Sequence, residues 1–222
     1  MNLRGLVKFL LYRDTTQHGE FALLRKLMTG DMPRIFVDVG ANDGFKGSNS
    51  YPFIARGWRT LLIEPHPAAF ARLQKRFQNR SHVKCLNLAC ADQEGTLPLF
   101  IGIDGDDGTL ATLCTDDHPH FRKARTDQRV LVRVERLDTV LTAQDIPHDF
   151  GILSVDAEGM DYEVLLGLDL KIWRPRIIIT EEYDLKTARK HEHLKRSGYA
   201  LAGSIMSNTF WMPAEFGTGK KT

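Results

Sequence analysis

Short apolar bursts and stretches of helical periodicity alternate along most of this chain. The bursts at 35–39, 60–63, 83–89, 151–155 and 177–180 are rich in Val, Ile and Leu, the pattern of strands buried on both faces. Between them, 50–55, 67–77, 138–143, 162–168 and 187–196 predict helices; Phe70, Leu73 and Phe77 mark one such apolar face. An earlier helix is predicted at 19–29, ended by the breaker Gly30-Asp31-Met32-Pro33. Residues 96–101 predict a further extended run, and the alternation at 130–134 an edge strand. The runs at 199–202 and 209–212 predict a closing, hairpin-like pair. Strands separated by helices predict an α/β fold: a mainly parallel sheet covered on both faces.

Residues 103–129 break the rhythm. Gly, Asp and His dominate there, which predicts an insertion or lid; a loop this long in a compact domain usually serves a function. The start of the chain carries Leu3, Leu6, Val7, Leu10 and Leu11 at helical spacing. That run is too short and interrupted to span a bilayer. It predicts a short helix packed on the domain, with weak membrane-surface contact as the lesser expectation.

Composition narrows the classes. The chain has 222 residues, 42% of them apolar, enough for one sizeable core. A net charge of +2 gives no nucleic-acid footprint. Cys85, Cys90 and Cys114 are an odd set without metal-type spacing. They read as buried free thiols in a reducing, cytoplasmic compartment.

The candidate chemistry lies where the strands end. The first burst runs into Asp38-Val39-Gly40-Ala41-Asn42-Asp43-Gly44. Gly40 and Gly44 permit a tight turn and a close backbone approach. A dinucleotide fingerprint wants glycine where Asn42 stands, and Asp38 and Asp43 repel a pyrophosphate. An acid at this mouth suits an adenosine cofactor that carries an ammonium and a sulfonium, namely S-adenosylmethionine. Glu64 ends the second burst, where a carboxylate can accept both ribose hydroxyls. Asp92, after the third, could accept from an adenine amino group beside Cys90 or Ala91, or could simply cap its turn. Asp156 and Glu158 follow the fourth and face the same crevice; one could orient the cofactor or substrate and the other act as base. Asp161 reads as the cap of the next helix, which frees Asp156. Glu181 and Glu182 end the fifth. All-oxygen groups suit magnesium or calcium, but no metal is expected. His191 and His193 lie two apart on a helix and so do not share a face. His118 or His120 is a lesser candidate base.

Four segments together resemble the FkbM family of methyltransferases: Phe36 to Gly44, Gly57 to Pro65, Val134 to Val140, and Ser154 to Gly159. Order and spacing agree over about 33–213. The loop Ser48-Asn49-Ser50-Tyr51 resembles a variant found in part of that family. The resemblance implies a Rossmann-like class I methyltransferase sheet of seven strands, mostly parallel with an antiparallel last strand. It makes 33–213 the methyltransferase domain, after an N-terminal helical extension at 1–32 and before a flexible tail at 214–222. It implies S-adenosylmethionine held by Asp38, Gly40, Asn42, Gly44 and Glu64, and O-methylation of a sugar or other small molecule; an alcohol acceptor needs a base, for which Asp156, Glu158 or a lid histidine are the candidates, in that order. The oligomeric state and the acceptor are not implied. The rival expectations are a non-catalytic module on the same fold and an NAD-dependent oxidoreductase.

Overall fold

In the computed structural model the described residues are 14–103, 105–114, 125–182 and 187–217. The helix expected within 1–13, His118 and His120, and the last five residues of the expected tail lie outside them. The chain runs α1 (Glu20–Leu27), β1 (Ile35–Val39), α2 (Tyr51–Ile54), β2 (Arg59–Ile63), α3 (Pro67–Phe77), β3 (Val83–Leu86), β4 (Ala89–Ala91) and β5 (Gly95–Gly102). A 3-10 turn (Gly105–Asp107) follows, then β6 (Arg125–Arg136), α4 (Leu137–Ala143), β7 (Ile152–Val155) and α5 (Asp161–Leu166). The last elements are β8 (Ile177–Glu181), α6 (Thr187–Arg196), β9 (Tyr199–Ile205), β10 (Asn208–Pro213) and α7 (Ala214–Gly217).

Seven strands form one sheet in the order β3-β2-β1-β7-β8-β10-β9. The first five pair in parallel, and β10 runs antiparallel to both neighbours. This is the expected mostly parallel sheet with an antiparallel last strand. The chain steps outward from β1 to β3 and then returns to the other side of β1. Strand order therefore reverses between β1 and β7, and ligands bind at the carboxyl ends of strands at such a reversal. The register puts Asp38 between Leu62 and Ser154, so the residues after β1, β2 and β7 emerge together.

Period-two alternation divides the core. Val37 and Val39 of β1, with Leu61 and Ile63 of β2, face Val140 and Leu141 of α4 and Val164 and Leu165 of α5. Phe36 and Ile152 point the other way, onto Phe53, Trp58 and the α1 residues Phe21 and Leu24. Phe53 meets the rings of Phe21, Phe36 and Trp58 at 5.4, 5.2 and 4.7 Å. Each such fully buried side chain contributes about 1.5–3 kcal/mol. Helix α1 thus shares one apolar layer with the sheet.

Two strands differ from expectation. The burst at 83–89 divides: β3 stays in the main sheet, and β4 joins β6 and β5 in a separate three-stranded sheet. Asn87 marks the division, its Nδ2 donating to the carbonyls of Glu64 and Pro65 and pinning the crossing. The run at 130–134 lies in β6, the central strand of the small sheet and not an edge. Val132 and Val134 are buried while Leu131 and Arg133 are exposed. Alternation reports one buried face; it does not report how many strands flank it.

Candidate active site

The turn after β1 builds the first wall. Gly40 has φ +85°, and its N–H and that of Ala41 both donate to the Ile63 carbonyl. A Cβ at Gly40 would lie 1.8 Å from the carbonyl oxygen of Asp156. Only glycine lets the β1 and β7 turns approach this closely. Asn42 is left-handed, with φ 48°, which aims its N–H at Glu64 Oε2 at 2.8 Å. Glu64 Oε1 accepts from the His66 N–H at 2.7 Å. Both oxygens are thus oriented, and each keeps acceptor capacity. Glu64 is 4% exposed, and burial pushes its carboxyl up to about 7 against the pull of these two bonds.

Asp38 lies at the mouth of β1 and is 5% exposed. Burial raises its carboxyl to about 6, opposed by hydrogen bonds from the Ser50 and Ser154 hydroxyls. Among the described residues no cation pairs with it. Parallel register alone brings Ser154 beside it.

Asp156 follows β7, its N–H donating to the Val39 carbonyl at 3.0 Å. Asp156 is exposed at the cavity mouth, although protein atoms crowd its carboxyl from behind. Burial raises its carboxyl, and the nearby Asp38 acts in the same direction. Glu181 is raised too, by burial, by the charges of Asp156, Glu158 and Asp161, and by its hydrogen bond with Asp156. The carboxylates of Asp156, Glu158 and Glu181 approach within 4.8 Å of one another. Glu158 is also left-handed, with φ 48°, a conformation that costs a non-glycine residue energy and clusters at functional sites.

Asp161 is not the simple cap expected of it. Its Oδ1 accepts from the Ala157 N–H and its Oδ2 from the Glu181 N–H, both at 2.9 Å. The fully buried Lys190 Nζ stands 3.7 Å away and donates to the Glu181 carbonyl. Asp161 therefore clamps the β7 turn to the end of β8. Nothing local in the sequence signals this role for Lys190, which reads as one more charge on a polar helix.

These elements enclose a cavity of about 320 Å³, within the size range of ligand sites. Asp38, Gly40, Asn42, Glu64, Asp156 and Glu158 all line it. Leu88, Cys90, Leu99, Ala111 and Leu113 add an apolar wall. The Asp107 carbonyl accepts from Asn42 Nδ2 at 3.0 Å and Arg72 Nη2 at 2.7 Å, and Thr112 Oγ1 donates to the Glu158 carbonyl. The described part of the expected lid is thus tied to both rims.

Two expected ligands are not brought to the cavity. Asp92 is exposed, and its carbonyl accepts from Arg136 Nη1. The departure of β4 into the small sheet carries it away. Gly44 does not line the cavity either: a Cβ there would press on Phe77 and Leu73 at 2.5 and 2.6 Å. It serves the packing of α3. His191 contacts Glu182 and Trp211, whereas His193 stacks edgewise on Tyr162, so the two diverge. Burial pushes the Cys85 and Cys90 thiols up to about 11 and 12, and all three cysteines are free.

The donor set fits S-adenosylmethionine and not a dinucleotide. An uncompensated buried carboxylate at Asp38 favours a cation, Glu64 offers lone pairs for a diol, and the apolar wall suits a purine. A pyrophosphate would face Asp38, Glu64 and Asp156. It would also lack a helix N-terminus, since α2 is a single turn beginning seven residues past Gly44.

A sheet of this order, with an acid-lined crevice at its reversal, is the Rossmann-like methyltransferase fold. Residues 38–200 match the methyltransferase FkbM domain, and the chain belongs to that family. The crystal structure of methyltransferase FkbM from Methylobacillus flagellatus KT is similar, with TM-score 0.56 and 16% identity. That likeness covers 90% of this chain and 49% of the other, so this chain spans about half its length. The human methyltransferase 10 domain containing protein aligns at TM-score 0.45 and 14% identity, over 94% of this chain and 93% of its own. No curated protein matches the chain in sequence.

Proposed function

We propose that this chain transfers a methyl group from S-adenosylmethionine to a hydroxyl of a small molecule, a sugar or comparable alcohol. The observation that carries the reading is Asp38: a buried carboxylate whose partners among the described residues are the Ser50 and Ser154 hydroxyls, opening on a cavity beside Glu64 and Asp156. When bound, S-adenosylmethionine supplies a methyl group already activated on a sulfonium. The chain's own task is to position and to move a proton. Asp38 holds the cofactor ammonium, Glu64 accepts from the ribose hydroxyls, and the Leu88–Leu99 side takes the adenine. Asp156 accepts the proton of the acceptor hydroxyl as the oxygen takes the methyl. Its raised carboxyl suits a base working near neutral pH. An amine acceptor fits less well, because three close carboxylates would hold it as an unreactive ammonium. We place this activity in the cytoplasm, where free buried thiols persist. Among the described residues no helix is long and apolar enough to cross a membrane.

Asp38→Ala or Glu64→Ala is expected to weaken cofactor binding roughly 10–100-fold, the cost of losing charge-assisted hydrogen bonds. Isothermal calorimetry with S-adenosylmethionine reads this directly. A parent protein that binds no cofactor at high micromolar concentration would instead be a non-catalytic module. Asp156→Asn should keep binding and lose about 10²–10⁴ in turnover; unchanged turnover would move the base to Glu158.

No metal enters this reading, because the sulfonium methyl is already activated and the acid trio is given to proton transfer. Turnover is expected to survive dialysis against EDTA. Loss of turnover that magnesium restores would reassign Asp156, Glu158 and Glu181 to a cation.

A further inference from the structure

The segment just before α1 lies outside the family match, yet it reaches the cavity. Thr15 and Gln17 both line it, while the intervening Thr16 is 8% exposed and forms a parallel bridge with Gly47. Thr15 and Gln17 thus face the cavity, while Thr16 between them faces the protein. The segment is anchored along its length. Thr15 Oγ1 donates to the Ser48 carbonyl at 3.1 Å, and the N–H and Oγ1 of Thr16 donate to Asp14 Oδ1 at 3.0 and 2.6 Å. Beyond it, Glu20 is fully buried, accepting from the His18 N–H and from Asn208 Nδ2 of β10. Alongside stand Lys46, Gly47, Ser48 and Asn49, which also line the cavity. Among the described residues the Gln17 amide has no hydrogen-bond partner.

We infer that residues 15–17 and the 46–49 loop form the acceptor wall of the cavity, and that Gln17 and Thr15 select an uncharged, hydroxyl-rich acceptor. This rests on the methyltransferase reading above. The cofactor residues occupy the β1 and β2 turns and the apolar side, which leaves this polar wall, with the β7 base, to the second substrate. Its groups are two hydroxyls, two amides and one ammonium, and they line the same cavity as Asp156 and Glu158. An acceptor bearing a carboxylate or phosphate would be repelled by those acids, with Lys46 the one cation among the described lining residues. Neutral hydroxyls match the amide and hydroxyl groups in both donor and acceptor sense.

The test uses methyl glycosides of neutral hexoses and 6-deoxyhexoses beside methyl glucuronoside, with labelled S-adenosylmethionine and the full chain. Neutral glycosides are expected to exceed the glucuronoside at least 10-fold in kcat/KM. Gln17→Leu and Thr15→Val should each raise KM for the accepted glycoside about 3–10-fold, the loss of one or two neutral hydrogen bonds. Their kcat should stay within threefold and their calorimetric Kd for S-adenosylmethionine within twofold of the parent. A weakened cofactor Kd in these variants would put the segment on the cofactor and overturn the inference while leaving the proposed function intact. A parent that binds cofactor but prefers the glucuronoside, or methylates no probe, overturns the acceptor class. A parent that binds no cofactor removes the proposed function itself, and this inference with it.

Discussion

Gly40→Ala is expected to abolish cofactor binding or to prevent the protein from folding. Glycine at a strand mouth is often explained by its conformational freedom alone, and φ +85° does call for it. Forcing alanine into that conformation costs only about 1–2 kcal/mol. Steric contact costs more. A Cβ here would lie 1.8 Å from the Asp156 oxygen and 2.8 Å from its carbonyl carbon. Both are backbone atoms, held by the Asp156 N–H bond to Val39 and by the Asp161 clamp at the next residue. Neither can rotate away as a side chain would, so the β1 and β7 turns must part. Asp38 and Asp156 would then no longer flank one site. Gly57 supplies the control: its φ is +74°, but a Cβ there meets nothing within 4 Å. Gly57→Ala should lower Tm by roughly 2–8 °C, from backbone conformation alone, and leave cofactor affinity unchanged. If Gly40→Ala melts like Gly57→Ala and binds S-adenosylmethionine like the parent, the close approach of the two turns does not form the site.

The contrast between these glycines shows what a sequence can and cannot convey. The apolar bursts that end in Asp38 and Glu64 are legible because each strand and its terminal acid are contiguous. Their meeting at one crevice follows from the parallel sheet that the strand–helix alternation predicts. The sequence misleads at Gly44 because its crowding comes from Leu73 and Phe77, about thirty residues on. It misleads at Asp92 because an apolar run does not say which sheet it joins. The Ser50 and Ser154 hydroxyls on Asp38, and the Lys190–Asp161 clamp, depend on register and on helix docking, and no local pattern encodes either. Thr15 and Gln17 are hidden for the same reason: their partners lie at 47 and 48, and neither end carries a recognisable motif. Local chemistry is readable at strand ends; the walls between those ends need the fold.

The free protein is expected to be most stable in mildly acidic solution and to lose stability as pH rises through 6 and 7. Asp38 is raised from 3.8 to about 6 and Glu64 from 4.5 to about 7, both because burial penalises the charged form. In the unfolded chain both ionise near pH 4. Between those limits the folded state holds protons that the unfolded state has released, so stability falls with rising pH. At about 1.4 kcal/mol per tenfold, each group could withdraw roughly 3 kcal/mol by pH 8. A cationic cofactor inverts the effect. It binds the ionised forms, so S-adenosylmethionine should raise Tm more at pH 8 than at pH 5.5. Its binding near pH 6.5 should release protons, visible as a dependence of calorimetric enthalpy on buffer ionisation heat. Asp38→Asn removes one of the two titrations and should flatten the decline between pH 4 and 7 while weakening the cofactor. A free protein whose Tm climbs from pH 5 to 8, with no proton release on binding, would mean that these carboxylates are already ionised. The site would then be a wetter, more open cleft than its burial indicates, and Asp38 would have no special need of a cation.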